Sequence, residues 1–196
     1  MRKRLYINNN DIVFLFVGRL DIEKGIIELI EAYSKVTKRC SNTSLWLVGP
    51  AETNIDKLEE LIKKLQVDSI QILPYTTTPE TYMAAADVFC LPSHREGFGT
   101  VIIESASCGI PAIGTRIYGL SDSIVDEETG FLVDRGDVIG LCEKMVILAS
   151  DESLRERLGS SARKRAHALF SQRIVIQGLS NFIDNEMKNE ELQVRR

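Results

Sequence analysis

Short continuous apolar runs alternate along the chain with segments whose apolar residues recur every three or four positions. The first run, DIVFLFVG (11–18), is β-branched and aromatic and ends at glycine. That pattern reads as a strand buried on both faces. Residues 23–39 follow, with Ile27, Ile30, Tyr33 and Val36 on or near one face of an amphipathic helix. The alternation then repeats. SLWLVG (44–49), SIQIL (69–73), DVFCLP (87–92), PAIGT (111–115) and TGFLV (129–133) read as strands. Between them, 54–65 reads as a helix capped near Thr53 or Asn54, 79–86 as a short helix with Pro79 in its first turn, and a further helix starts near Thr100 and stops at Gly109. Beyond residue 133 the pattern is helical over about 137–150, 152–166 and 171–188, with KNEELQVRR expected to fray.

Strands alternating with helices through short loops specify a parallel sheet covered on both faces. The expected fold is α/β, a single Rossmann-like domain of about six strands spanning 1–196, with its core over about 11–168 and a final helix and tail over 169–196. In such sheets ligands bind beyond the carboxyl ends of the strands. The loops after FLFVG, WLVG, QIL and VFCLP are therefore expected to line a site.

Composition narrows the function classes. The 196 residues are 44% apolar and 27% charged, with a net charge of -4. No block of one sign stands out, which argues against nucleic acid as the main partner. No apolar run approaches the ~18 residues of a membrane span, and the basic start MRKRLYINNND lacks the apolar stretch of a secretory signal. Of the four cysteines, Cys90, Cys108 and Cys142 read as small core residues in a reducing compartment. His94 and His167 have no partner at ligand spacing, so no metal site is expected.

Two loops carry candidate chemistry. GRLDIEKG (18–25) places Arg19 and Lys24 just after a buried strand. Two cations at a crevice mouth repel unless an anion lies between them; the alternative is a solvated loop with Lys24 paired to Asp21 or Glu28. SHREGFGT (93–100) leads into the helix that starts near Thr100. A helix start offers free N–H groups and partial positive charge, and Gly97 and Gly99 would admit a ligand close to the backbone. The alternative is that these glycines only make the turn. Thr100 and Glu104 are one turn apart, so Glu104 leans back toward the crevice while Val101, Ile102 and Ala106 cover the apolar side. Glu96 lies just ahead of the helix. A cavity bordered by two cations, a helix start and two acids suits a nucleoside diphosphate sugar. The alternatives are a surface salt bridge for Glu96, to Arg95 or another base, and an ordinary exposed helix position for Glu104.

GRLDIEKG, the Glu96-x7-Glu104 spacing, LPSHREGFGTVIIESASCGIPAIGT and ETGFLV, in this order, resemble the C-terminal, donor-binding domain of retaining GT-B glycosyltransferases of the family 4 type. The resemblance covers nearly the whole chain. It implies one half of a GT-B fold and transfer of a sugar from a nucleoside-diphosphate sugar to a glycan or lipid-linked acceptor in bacterial surface polysaccharide synthesis. It implies catalytic roles for Arg19, Lys24 and Glu96. The two cations would bind the donor diphosphate beside the N–H groups of Thr100 and Val101. Gly18 would border the site at the end of the first strand. Glu96 would hold hydroxyls of the transferred sugar with the backbone of Gly97, Phe98 and Gly99, Glu104 would hold the ribose, and the base would lie near Tyr75 and Thr76. No cofactor or metal is implied. The enzyme would be cytoplasmic, peripheral at most to the inner face of the membrane.

Two departures stand out. Where the family often reads Gly-Gly-x-Pro-Glu, this chain has Tyr118, Gly119, Leu120, Ser121 and Asp122, and Glu127 stands where a turn glycine is common. The resemblance also implies a partner outside this chain, an N-terminal GT-B domain that holds the acceptor. Without it this chain would be inactive and would leave an apolar stripe exposed near 171–188. Three other classes fit the pattern less well. A nucleotide-sugar epimerase would need more catalytic histidines and acids. A non-catalytic nucleotide-binding fragment would have no reason to retain Arg19, Lys24, Glu96 and Glu104 together. A dinucleotide oxidoreductase lacks its Gly-x-Gly-x-x-Gly after the first strand.

Overall fold

The computed structural model describes residues 1–5, 7–8, 10–50 and 55–194, with side chains as far as residue 184. Six strands form one sheet: β1 Ile12–Val17, β2 Thr43–Val48, β3 Ile70–Leu73, β4 Val88–Leu91, β5 Ala112–Thr115 and β6 Gly130–Val133. Their order is β3-β2-β1-β4-β5-β6, and every neighbouring pair is parallel. The described helices are α1 Ile26–Val36, α2 Ile55–Leu65, α3 Glu80–Met83, α4 Thr100–Ser107, α5 Tyr118–Ser123, α6 Val138–Ser150, α7 Glu152–Leu169 and α8 Gln172–Val194. The sheet is Rossmann-like, as the alternation predicts.

Chain direction decides where the site can lie. From the middle of the sheet, β1 connects outward to β2 on one side and β4 to β5 on the other. Right-handed crossovers then place α1 and α4 on opposite faces. α6 packs on α1, and α7 packs on α4. Between β1 and β4, which pair through Phe14 with Val88 and Leu15 with Phe89, the crossovers set off toward opposite faces, the switch point at which such folds form a ligand crevice.

The strands stay put because both faces are apolar. Val13 to Phe16, Leu45 to Val48 and Val88 to Cys90 are fully buried. Trp46, Tyr33, Phe14, Phe16 and Phe89 are the bulkiest members of the core. The Tyr33 hydroxyl meets the Oγ atoms of Thr43 and Ser69, and burial pushes its pKa up. α1 buries Ile26, Leu29, Ile30, Tyr33 and Val36, with Ile27 at the margin. Cys90 and Cys142 are core residues as expected, but Cys108 is only partly buried, because it caps the exposed end of α4.

Several boundaries differ from the sequence reading. The turn Tyr118–Ser123 is helical although Gly119, Ser121, Asp122 and Ser123 disfavour it; burial of Leu120 and Ile124 overrides propensity. A 3₁₀ turn at Arg2–Leu5 is also unforeseen. Arg2 holds it down by donating to Ala85 O at 2.9 Å, Asp11 O at 2.8 Å and the Asp87 carboxylate at 2.5 Å. The cap expected at Thr53 or Asn54 lies outside the described residues. α7 runs to Leu169, and α8 spans Gln172–Val194, past the helix end expected near 188. The Lys, Glu, Leu and Gln of that segment are good helix formers. Glu127 sits at φ 63, a left-handed conformation that favours glycine, at a cost of about 1 kcal/mol. The apolar stripe expected near 171–188 is present, with Ile174, Val175, Ile176, Leu179, Phe182 and Ile183 all exposed.

Phe89 anchors β4, the strand that delivers one side of the crevice. Phe89→Ala is expected to cost about 3–5 kcal/mol, measured as a lower urea midpoint at unchanged m-value.

Candidate functional site

The loop after β1 is shaped by Asp21. Its backbone is extended and its carboxylate accepts from the Lys24 N–H at 3.0 Å, capping a 3₁₀ turn over Ile22–Lys24. Asp21 Oδ2 also lies 3.5 Å from the Arg19 guanidinium. One acid therefore caps the turn that carries Lys24 and pairs with Arg19. The turn ends at Gly25, at φ 69, which starts α1. A Cβ on Gly25 would lie 2.0 Å from Pro92 O, so the β1 and β4 loops touch there backbone to backbone.

Lys24 crosses the crevice. Its ammonium forms an ion pair and hydrogen bond with Glu96 Oε1 in the β4 loop. This corrects the solvated-loop alternative, in which Lys24 pairs with Asp21 or Glu28. Glu96 is thus in a salt bridge, as its alternative reading held, but with Lys24 and not with Arg95. Glu96 Oε1 accepts a second hydrogen bond from Ser93 Oγ at 3.2 Å. Ser93 is fully buried, and its carbonyl accepts from the Thr115 hydroxyl at the end of β5. Both side chains of the pair are largely shielded, at 20% exposure for Lys24 and 14% for Glu96, so solvent screens their attraction little.

The rest of the β4 loop is propped from behind. Gly119 of α5 packs on it so closely that a Cβ there would lie 2.4 Å from Gly97 O and 2.5 Å from Glu96 O. The Phe98 ring packs on Phe170, with ring centroids 5.4 Å apart. Gly99 is the N-cap residue of α4 and makes no side-chain cap bond. Thr100 and Glu104 are exposed and one turn apart, Val101 is partly buried, and Ile102, Ile103 and Ala106 cover the apolar side.

A cleft of about 390 Å³ continues across the carboxyl ends of the next strands. Gly18 and Arg19 line it after β1, Gly49 and Pro50 after β2, and Tyr75 and Thr76 after β3. A larger hollow of about 560 Å³ lies beside α2 and the turn into β3, without the convergent cations and amides of the crevice. The sequence-predicted residues thus gather at one end of the sheet: Arg19, Tyr75 and Thr76 around the cleft, Lys24 and Glu96 in contact, and the start of α4 beside them. The contacts made by Asp21 with Arg19 and by Ser93, Thr115 and Gly119 around Glu96, and the His94–Glu28 contact, escaped the sequence reading. Asp21 and Ser93 lie inside the quoted loops, but nothing in their spacing reveals whom they touch. Among the described residues, no three His, Cys, Asp or Glu side chains gather where a metal ion could sit, and no helix is long and apolar enough to cross a membrane.

Residues 1–165 match the family described as Glycosyl transferases group 1. The chain belongs to this family. As a group 1 glycosyltransferase domain it is similar to the capsular polysaccharide biosynthesis glycosyltransferase CapM of Staphylococcus aureus, with 35% identity over 93% of this chain and 48% of that protein. Its fold matches sucrose-phosphate synthase from Thermosynechococcus elongatus with a TM-score of 0.86 and 26% identity, over 96% of this chain and 48% of the other. It also matches the Anabaena Alr3699/HepE protein solved with UDP and glucose, with a TM-score of 0.86 and 24% identity, over 94% and 51% of the two chains. The group 1 domain spans about half the length of the curated relatives it matches.

Because Gly119 presses on the Glu96 and Gly97 carbonyls, Gly119→Ala must displace the β4 loop or α5. A loss of about 1–3 kcal/mol in unfolding free energy is expected, read by chemical denaturation.

Proposed function

We propose that this chain is the donor-binding half of a retaining glycosyltransferase. It acts on a nucleoside-diphosphate sugar and serves surface polysaccharide synthesis, with a glycan or lipid-linked acceptor held by a second domain. The observation that carries the reading is the Lys24–Glu96 contact across the crevice. It puts a cation suited to the diphosphate next to an acid suited to the sugar hydroxyls. Family membership, the capsular relative and the UDP and glucose bound by a structural neighbour support the same reading.

The chemistry follows from charge. When the bond between the sugar's anomeric carbon and the diphosphate breaks, negative charge grows on the departing phosphate. Lys24 and Arg19 neutralise it, and the free N–H groups of Thr100 and Val101 at the start of α4 add hydrogen bonds. Glu96 is left to accept from hydroxyls of the sugar, beside the backbone of Gly97, Phe98 and Gly99. Glu104 accepts from the ribose. The base occupies the cleft near Tyr75 and Thr76, and Gly18 leaves room at the floor. Two fixed cations and a helix start perform the electrostatic task of a divalent ion at a leaving diphosphate.

Binding of UDP, GDP or ADP to the full chain, followed by titration calorimetry, tests the reading. Lys24→Ala and Arg19→Ala are each expected to weaken binding by about 1.5–3 kcal/mol. Absence of binding by all three nucleotides at millimolar concentration would overturn it.

A further inference from the structure

His94 and Glu28 have no part in the donor contacts above, yet they form the second side-chain bridge between the two loops. His94 Nε2 lies 2.7 Å from Glu28 Oε1, and the His94 backbone N–H donates to Glu23 O at 2.7 Å. With a carboxylate as partner, Nε2 must carry the proton and donate. Glu28 stands in the first turn of α1, one turn past Lys24. A Glu there commonly reaches back to cap its own helix. Here it reaches across to the other loop. Its second oxygen, Oε2, is buried without a hydrogen-bond partner. An unsatisfied buried carboxylate oxygen costs stability, so an apolar residue would serve a purely structural role better. What the acid supplies is direction, because a hydrogen bond fixes an angle and apolar contact does not.

Resting on the donor-site reading, we infer that His94 and Glu28 are positioning residues for donor binding. Their contact, together with the Gly25–Pro92 approach and the His94–Glu23 bond, tethers the β4 loop to the start of α1 at three points. Glu96 is two residues beyond His94 and Lys24 is four before Glu28, so the tether sets the geometry of the ion pair itself. Lysine has a long flexible stem. Without the tether, Lys24 and Glu96 sample positions that no longer match a diphosphate and a sugar together, and the ordering cost falls on the ligand.

Calorimetry with UDP, GDP and ADP on the full chain provides the test. Wild type and Lys24→Ala come first: failure of wild type to bind, or binding unaffected by Lys24→Ala, removes the donor-site reading and this inference with it. Given a wild type that binds through Lys24, His94→Ala and Glu28→Ala are each expected to weaken binding on the order of tenfold. The double variant should be no weaker than either single one, because both remove one bond. His94→Gln, which keeps an N–H donor near the Nε2 position, should restore affinity to within about threefold of wild type. If His94→Ala does not fold, His94→Phe keeps the ring volume and the backbone bond to Glu23 and takes its place. Wild-type affinity in His94→Ala or His94→Phe overturns the inference. So does a Gln variant as weak as the deletion, or a loss in the His94 variants that Glu28→Ala does not share, since that would make His94 a direct ligand contact.

Discussion

Lys24 and Glu96 are 72 positions apart in the chain and share an ion pair because β1 and β4 are neighbours in the sheet. Everything proposed for the site depends on that adjacency. Had β2 or β5 taken the place beside β1, the same loops would open over different strands and the cation and the acid would serve separate surfaces. The adjacency is fixed by the apolar strands, which bury both faces and tolerate no slip of register.

The local chemistry at the crevice runs against stability. A largely shielded ion pair gives up much of its attraction to desolvation, Glu28 buries an oxygen without a partner, and Gly119 and Gly25 are held where any side chain would collide with a carbonyl. Proteins accept such conflicts at sites of function and compensate in the core. Here the compensation is the fully buried aromatic set of Phe14, Phe16, Tyr33, Trp46 and Phe89 in the core.

The two departures from the family pattern fall on different physics. Tyr118 to Asp122 lacks the usual first glycine and proline and has Asp in place of Glu, but still forms a helix that braces the Glu96 loop, through Gly119, which the pattern keeps. Glu127 occupies a left-handed turn that glycine would fill without strain. The first shows that the bracing depends on a close backbone approach and a buried Leu120. The second is a local cost in a turn distant in sequence from the donor contacts.

Periodicity alone determined the six strands and their parallel arrangement, because short apolar runs buried on both faces have few ways to pack. The quoted loops likewise raised Arg19, Lys24, Glu96 and the start of α4 as candidates before any contact was known. Only the tertiary structure decided that Lys24 meets Glu96 and not Asp21 or Glu28, that Asp21 caps the turn that carries Lys24 and pairs with Arg19, that Ser93 and Thr115 support the acid, and that α5 exists at all. The physical reason is range. Backbone preference and burial act over a few residues and leave a trace in spacing, whereas a side chain's partner is chosen by whichever group the folded chain brings within hydrogen-bond reach.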